Sequence, residues 1–231
     1  MSAFRLHVFG VAATGSADGA ANSAYDSFSS FGGGVLLSRD DARRDRPGGT
    51  GSGLYGLVIA VMIAVFIGGL MVGRTPEYLR KRIGFPEMRY VVLYALGRAD
   101  GHPGLLGPRR RAGRASRPWA TPGPHGLTEL VYAYTSNVNS NGSAMAGFNG
   151  ATDFHNLLMS AAMLIGRYVP MVFLLALAGR LARQQPGVVT VGTLQARGVN
   201  FIALATGAAL ILALLNFLPA LSLGPLAEGL L

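Results

Sequence analysis

The chain contains no cysteine, which excludes a disulfide framework and any metal centre held by thiolates. Charge is scarce as well: 13% of the 231 residues are charged, against roughly a quarter in an average soluble domain. No glycine-rich phosphate loop ending in Lys occurs, nor an Asp-bearing phosphorylation motif of the kind a phosphorylated pump requires. The sequence therefore offers no recognisable phosphoryl-transfer site. The net charge of +9 comes with no nucleic-acid motif and no aromatic residues interleaved among the basic runs, which argues against nucleic acid as a partner.

What is present in quantity is apolar surface and glycine. Half of the residues are hydrophobic and 33 are Gly, a composition that reads as an all-α integral membrane protein with lipid as its solvent. Residues 54–72 give nineteen positions without a charge, close to the hydrocarbon thickness of a bilayer at about 1.5 Å per residue. Residues 157–179 form a second run, interrupted by Arg167 and by Pro170, which is expected to kink it. Residues 201–226 form a third, carrying Asn216, Pro219 and Pro225. Gly69 and Gly73 make a small-xxx-small pattern that permits close helix packing.

Basic residues follow the first run at Arg74, Arg80, Lys81 and Arg82, and the second at Arg180 and Arg183. Both ends then face the cytoplasm, so one outward crossing must lie between them. Residues 88–96 cover only about half a bilayer before a tract rich in Gly, Pro and Arg, residues 97–125. A second tract, residues 38–47, has the same character. Two readings stay open for both: solvated loops, or GC-rich coding sequence read out of frame. Shifted by one base, Arg39-Asp-Asp-Ala-Arg-Arg-Asp-Arg-Pro can read Val-Thr-Met-Leu-Gly-Glu-Ile-Ala-Pro, a membrane-compatible string.

The chemistry concentrates in two short passages. Residues 127–134 are apolar enough to enter a membrane and too short to cross it, so they read as a re-entrant pore helix within a pore loop at 126–147. The polar run 135–143 that follows holds Thr135, Asn139, Asn141, Gly142 and Ser143. Irregular polar backbone at membrane depth must be buried in protein or face a water-filled path. There its carbonyl dipoles can replace the water of a small cation, with glycine giving the required backbone angles. The alternatives are an external loop and, for Asn141-Gly-Ser, a glycosylation sequon. A similar passage, with Ala17, Asp18, Gly19, Ala20 and Asn22, puts its glycine 123 positions before Gly142. Each passage precedes a long apolar run, the order expected of a helix, re-entrant pore helix, filter loop and helix repeat.

Several segments resemble the potassium-binding A subunit of the Kdp-type potassium-transporting ATPase. They are Gly53-Leu-Tyr-Gly, Gly69-Leu-Met-Val-Gly-Arg-Thr-Pro-Glu-Tyr-Leu, Tyr132-Ala-Tyr-Thr-Ser, Asn141-Gly-Ser-Ala and Phe217-Leu-Pro-Ala-Leu-Ser-Leu-Gly-Pro-Leu-Ala-Glu. The resemblance implies a channel-like fold of four pore-loop repeats that binds the potassium ion, in the bacterial inner membrane as a multi-pass protein. It implies an ATP-hydrolysing P-type subunit and small accessory subunits as partners. By the same resemblance residues 1–82 are the third repeat, 83–185 the fourth and 186–231 a C-terminal transmembrane helix. Gly19 and Gly142 become filter glycines, and Arg167 lies beside the ion path. The sequence departs from that pattern in lacking the first two repeats, in Asp18 and Tyr25, and in the two Arg-rich tracts. A self-sufficient cation channel or secondary transporter, and a nonfunctional frame-damaged product, are the competing readings.

Overall fold

A computed structural model describes residues 3–42, 52–97, 123–187 and 198–230. Helices dominate: α1 (Ala3–Ser16), a 3₁₀ turn (Tyr25–Ser27), α2 (Ser30–Ala42), α3 (Ser52–Val72), α4 (Phe85–Leu96), α5 (Pro124–Val138), α6 (Asp153–Arg183), α7 (Val199–Leu223) and α8 (Pro225–Leu230). One antiparallel hairpin, β1 (Glu77–Tyr78) with β2 (Lys81–Arg82), joins α3 to α4.

Two of the described helices are long and apolar enough to cross a membrane, at Gly53–Val72 and Asp153–Arg183. The 21 residues of α3 carry no charge on any face, and at about 1.5 Å each they match a hydrocarbon core about 30 Å thick. Its end is set by glycine. Gly73 adopts φ +66 and the Arg74 amide donates to the Gly69 carbonyl at 2.8 Å, a left-handed C-terminal cap. Gly69 faces the same turn, since a Cβ there would lie 2.8 Å from Pro76 Cγ. The Gly69 and Gly73 pair thus closes a helix rather than mating two.

The 31 residues of α6 start on Thr152, whose hydroxyl accepts from the His155 amide at 3.3 Å, with Asp153 in the first turn and Arg180 and Arg183 in the last. All these choices favour the helix dipole. The helix continues through Pro170. The β hairpin covers its far end: Leu79 and Arg80 are both left-handed, at φ 50 and 64, as a two-residue turn between strands requires. The Lys81 ammonium donates to the Leu181 carbonyl, and the Gly187 amide donates to the Arg80 carbonyl at 2.8 Å.

The expected run 201–226 divides in two. Pro225 has no amide hydrogen to continue a helix and is suited to start one, so α7 stops at Leu223 and α8 begins at Pro225. Tract 38–47 is helical where it is described, because α2 runs on to Ala42; 43–47 lie outside the described residues. So does most of tract 97–125, of which Pro124 and His125 belong to α5.

Two apolar clusters hold the assembly. Tyr25, Leu36, Leu37, Val131, Tyr132 and Met145 pack α2 against α5. Ile59, Met62, Val65, Ile83, Val91, Tyr94 and Leu177 join α3, α4 and α6. The second cluster is edged by a buried carboxylate: Glu87 accepts from Arg180 Nε at 2.7 Å, from Gln184 Nε2 at 3.0 Å and from the Gly84 amide at 2.9 Å. Burial pushes the Glu87 carboxyl up, but the Arg180 and Gly84 hydrogen bonds and the Arg180 charge outweigh it and leave the group below its ordinary value. A depressed carboxyl contributes stability that is present above the ordinary value and lost as pH falls toward the folded one. Arg180→Ala is expected to cost about 1–2 kcal/mol at neutral pH, discounted because the arginine is half exposed. Thermal unfolding of the wild type should weaken on acidification below about pH 4.5, while Glu87→Gln flattens that acid limb.

Candidate functional site

Helices α1 and α5 both end by turning left-handed, and they do so at corresponding positions. After α1, Ala17 has φ 60 and its amide donates to the Ala13 carbonyl at 3.1 Å. After α5, Ser140 has φ 57, its amide donating to Asn137 and the Asn141 amide to Ser136, each at 2.9 Å. These are the two common left-handed helix caps, here built on Ala and Ser where glycine is usual. Two residues further on, Gly19 and Gly142 are left-handed again, at φ 72 and 86, while Asp18 and Asn141 between them are not. The two passages thus share one backbone course, 123 positions apart. Each lies at a helix C-terminus, where the aligned peptide dipoles put partial negative charge.

The passages touch. The Gly19 amide donates to Asn141 Oδ1 at 3.1 Å, and a Cβ on Gly19 would stand 2.6 Å from the Asn141 carbonyl oxygen. Asn141 Nδ2 donates to Asp40 Oδ1 at 3.1 Å and to Ser143 Oγ at 2.9 Å. Asn139 Nδ2 donates to the Asp40 carbonyl at 2.8 Å. The Ser143 hydroxyl also meets the Tyr132 hydroxyl at 2.8 Å, and the Tyr25 hydroxyl donates to the Ala20 carbonyl at 3.0 Å.

The second passage alternates like a strand: Asn139, Asn141, Ser143 and Met145 are buried, and Ser140, Gly142, Ala144 and Ala146 exposed. The Asn139, Asn141 and Ser143 side chains are therefore committed to holding the loop. Thr135, expected in the loop, sits in the last turn of α5 because the cap at Ser140 lets the helix run to Val138. Its hydroxyl and that of Ser136 are buried and hydrogen-bond to no described group. In the first passage Asp18 turns inward on its own backbone, accepting from the Ala20 amide at 2.9 Å and the Ser16 hydroxyl at 3.2 Å. Asn22 is exposed and, among the described residues, accepts from its neighbour Ser23 at 3.4 Å, without joining the other site residues.

Against known proteins, residues 3–230 match the family model of KdpA, the potassium-transporting ATPase A subunit. The chain belongs to the KdpA family. Curated relatives described as potassium-transporting ATPase potassium-binding subunits include one from Streptomyces avermitilis, 48% identical over 227 residues, and one from Mycobacterium avium, 44% identical over 230 residues. Each alignment covers 96% of this chain, which spans about 40% of the length of the curated relatives it matches.

Within this KdpA chain, Gly166 lies against the end of α5, where a Cβ would meet the Val138 carbonyl oxygen at 2.4 Å. Its neighbour Arg167 is exposed midway along α6, where lipid alone would be a costly surrounding for a charge. Arg39 lies over α1's last turn, since a Cβ on Gly15 would stand 2.9 Å from its Nε, and so puts a cation beside the dipole of that helix. Asp40, Tyr25 and Tyr132 support the loops; the sequence marked Tyr25 only as a departure from the family pattern and did not single out the other two. The Tyr132-Ala-Tyr-Thr-Ser string carried a signal for Tyr132; nothing local could have found Asp40, whose role depends on contacts about 100 positions away.

The two glycines should respond differently to alanine. Gly142→Ala meets nothing within 4 Å and should cost about 1 kcal/mol for the left-handed backbone alone. Gly19→Ala adds the collision with Asn141 and should cost about 2–3 kcal/mol. Asn141→Ala, which removes the acceptor of the Gly19 amide and one donor to Asp40, should cost about 2–4 kcal/mol. Thermal unfolding of the three variants in one detergent checks the order.

Proposed function

We propose that the passages 17–22 and 135–143 are two sides of a potassium-binding filter, and that this chain contributes them to an ATP-driven potassium import complex. The observation that carries the reading is the doubled backbone course: helix C-terminus, left-handed cap, left-handed glycine, with the two copies in contact through Gly19 and Asn141. A desolvated monovalent cation needs several oxygen dipoles converging on one axis, and two helix C-termini aimed at one place favour positive charge there. The relatives' description as potassium-binding subunits supports potassium as the ion.

In this reading α1 and α5 are re-entrant pore helices of two repeats, and the ion ligands are main-chain carbonyls around Ala17, Asp18, Gly19 and Ala20 on one side and around Asn139, Asn141, Gly142 and Ser143 on the other. Thr135 adds a hydroxyl beneath them, Asn22 borders the mouth, and Arg167 bounds the path with a fixed charge. ATP is hydrolysed on a separate P-type subunit, small accessory subunits complete the complex, and the chain is a multi-pass protein of the bacterial inner membrane, surrounded by lipid. The two passages form two of the four sides that a closed filter requires.

The test is cation-dependent unfolding of the purified chain. Potassium should raise the melting temperature more than sodium or choline at equal ionic strength, and Gly19→Ala should abolish the difference. Equal stabilisation by all three cations contradicts potassium binding by these loops.

A further inference from the structure

The side chain of His125, at the start of α5, stands among three carboxylates from three parts of the chain. Its Nε2 lies 3.0 Å from Asp26 Oδ1 and 3.7 Å from Glu129 Oε1, and its Nδ1 lies 3.0 Å from Glu228 Oε1. The Nε2 atom, one Asp26 oxygen and one Glu129 oxygen all fall within 4.8 Å of one another. We propose that His125, Asp26 and Glu129 form a binding site for a divalent transition-metal cation of the zinc class, oriented by Glu228.

The geometry fits that chemistry. Zinc holds nitrogen and oxygen ligands at about 2.0–2.2 Å in a tetrahedron, which separates neighbouring ligand atoms by about 3.3–3.6 Å. The two distances from Nε2, 3.0 and 3.7 Å, bracket this spacing, and the Asp26 and Glu129 oxygens lie within 4.8 Å of each other. The remaining bond completes the pattern: a ligating imidazole donates its other N–H to a carboxylate, which fixes its tautomer, and here Nδ1 faces Glu228. One imidazole with two carboxylates suits zinc or cobalt, whereas calcium takes six to eight oxygens.

Glu129 shares the His125 face of α5, one turn on, and is fully buried, while Asp26 and Glu228 are about a quarter exposed and His125 less. Water would supply the fourth ligand of a tetrahedron. Gly147 is the residue that makes room, since a Cβ there would lie 2.4 Å from Glu129 Oε1. Binding replaces the proton on Nε2 with the dication, so one proton leaves the ring and the site gains one positive charge among three carboxylates. The ion would clamp the 3₁₀ turn that follows the first passage to the helix that leads into the second, with α8 as the outer support.

The experiment is titration of the chelator-stripped, detergent-purified chain with zinc chloride by calorimetry, and with cobalt(II) by visible absorption. One zinc per chain, a raised melting temperature and the intense visible bands of four-coordinate cobalt are expected. His125→Ala and Asp26→Asn should abolish binding, Glu228→Gln should weaken it about ten- to a hundredfold, and His7→Ala should leave it intact. Should His125→Ala fail to fold, Asp26→Asn and Glu228→Gln carry the comparison. Absence of saturable zinc binding by the wild type, or undiminished binding by the His125→Ala or Asp26→Asn variants, overturns the proposal.

Discussion

One carboxamide couples the two passages that the rest of the chain supports. Asn141 accepts from the Gly19 amide through Oδ1 and donates through Nδ2 to Asp40 and Ser143, so a single side chain ties the end of α1, the end of α2 and its own loop. Its orientation is dictated chemically, because a flipped amide would set oxygen against the Asp40 carboxylate and N–H against N–H. The close approach that results leaves no room for a side chain at position 19. Backbone freedom and hydrogen bonding thus act at the same point: glycine is needed there both for its left-handed angle and for its lack of a Cβ.

Everything around that contact serves to hold irregular backbone in a mostly apolar protein. Peptide groups without ladder partners are costly where water is scarce, and here they are met by caps on α1 and α5, by Tyr25 on the Ala20 carbonyl, and by asparagine side chains reaching Asp40. The supports are themselves pinned by packing, with Tyr25, Leu36, Leu37, Val131 and Tyr132 forming one buried cluster. At the C-terminal end of α6 the same logic recurs in simpler form, where Lys81 occupies the Leu181 carbonyl and the hairpin's Arg80 carbonyl takes the Gly187 amide just beyond the helix.

The parts readable from sequence were those that depend on local pattern. Apolar length marked α3, and α6 despite Arg167 and Pro170, and short polar passages of small residues drew attention to Gly19 and Gly142. Local pattern misled where a terminator was read as something else: Gly69 and Gly73 belong to a helix end, Pro225 starts a new helix, and Thr135 is helical because Ser140 takes the left-handed cap that glycine usually fills. A polar run does not reveal which side chains turn inward; the alternation of burial from Asn139 to Ala146 does. Asp40, Asp26 and Glu228 were illegible for a different reason. Each acquires its meaning from a partner about 100 positions distant, and no periodicity carries that information.

Arg39 and Asp40 come from a tract of unusual composition, yet they lie against α1 and the second passage, so that tract places charge around the loops. Whether the loops still converge on a cation is best decided by locating one. Thallium(I), a potassium-sized cation with strong anomalous scattering, can be mapped in crystals of the chain. The account predicts an anomalous peak among the main-chain carbonyls of residues 17–20 and 139–143, displaced by potassium and weakened in Gly19→Ala. A peak at carboxylates elsewhere with none between the loops would contradict it.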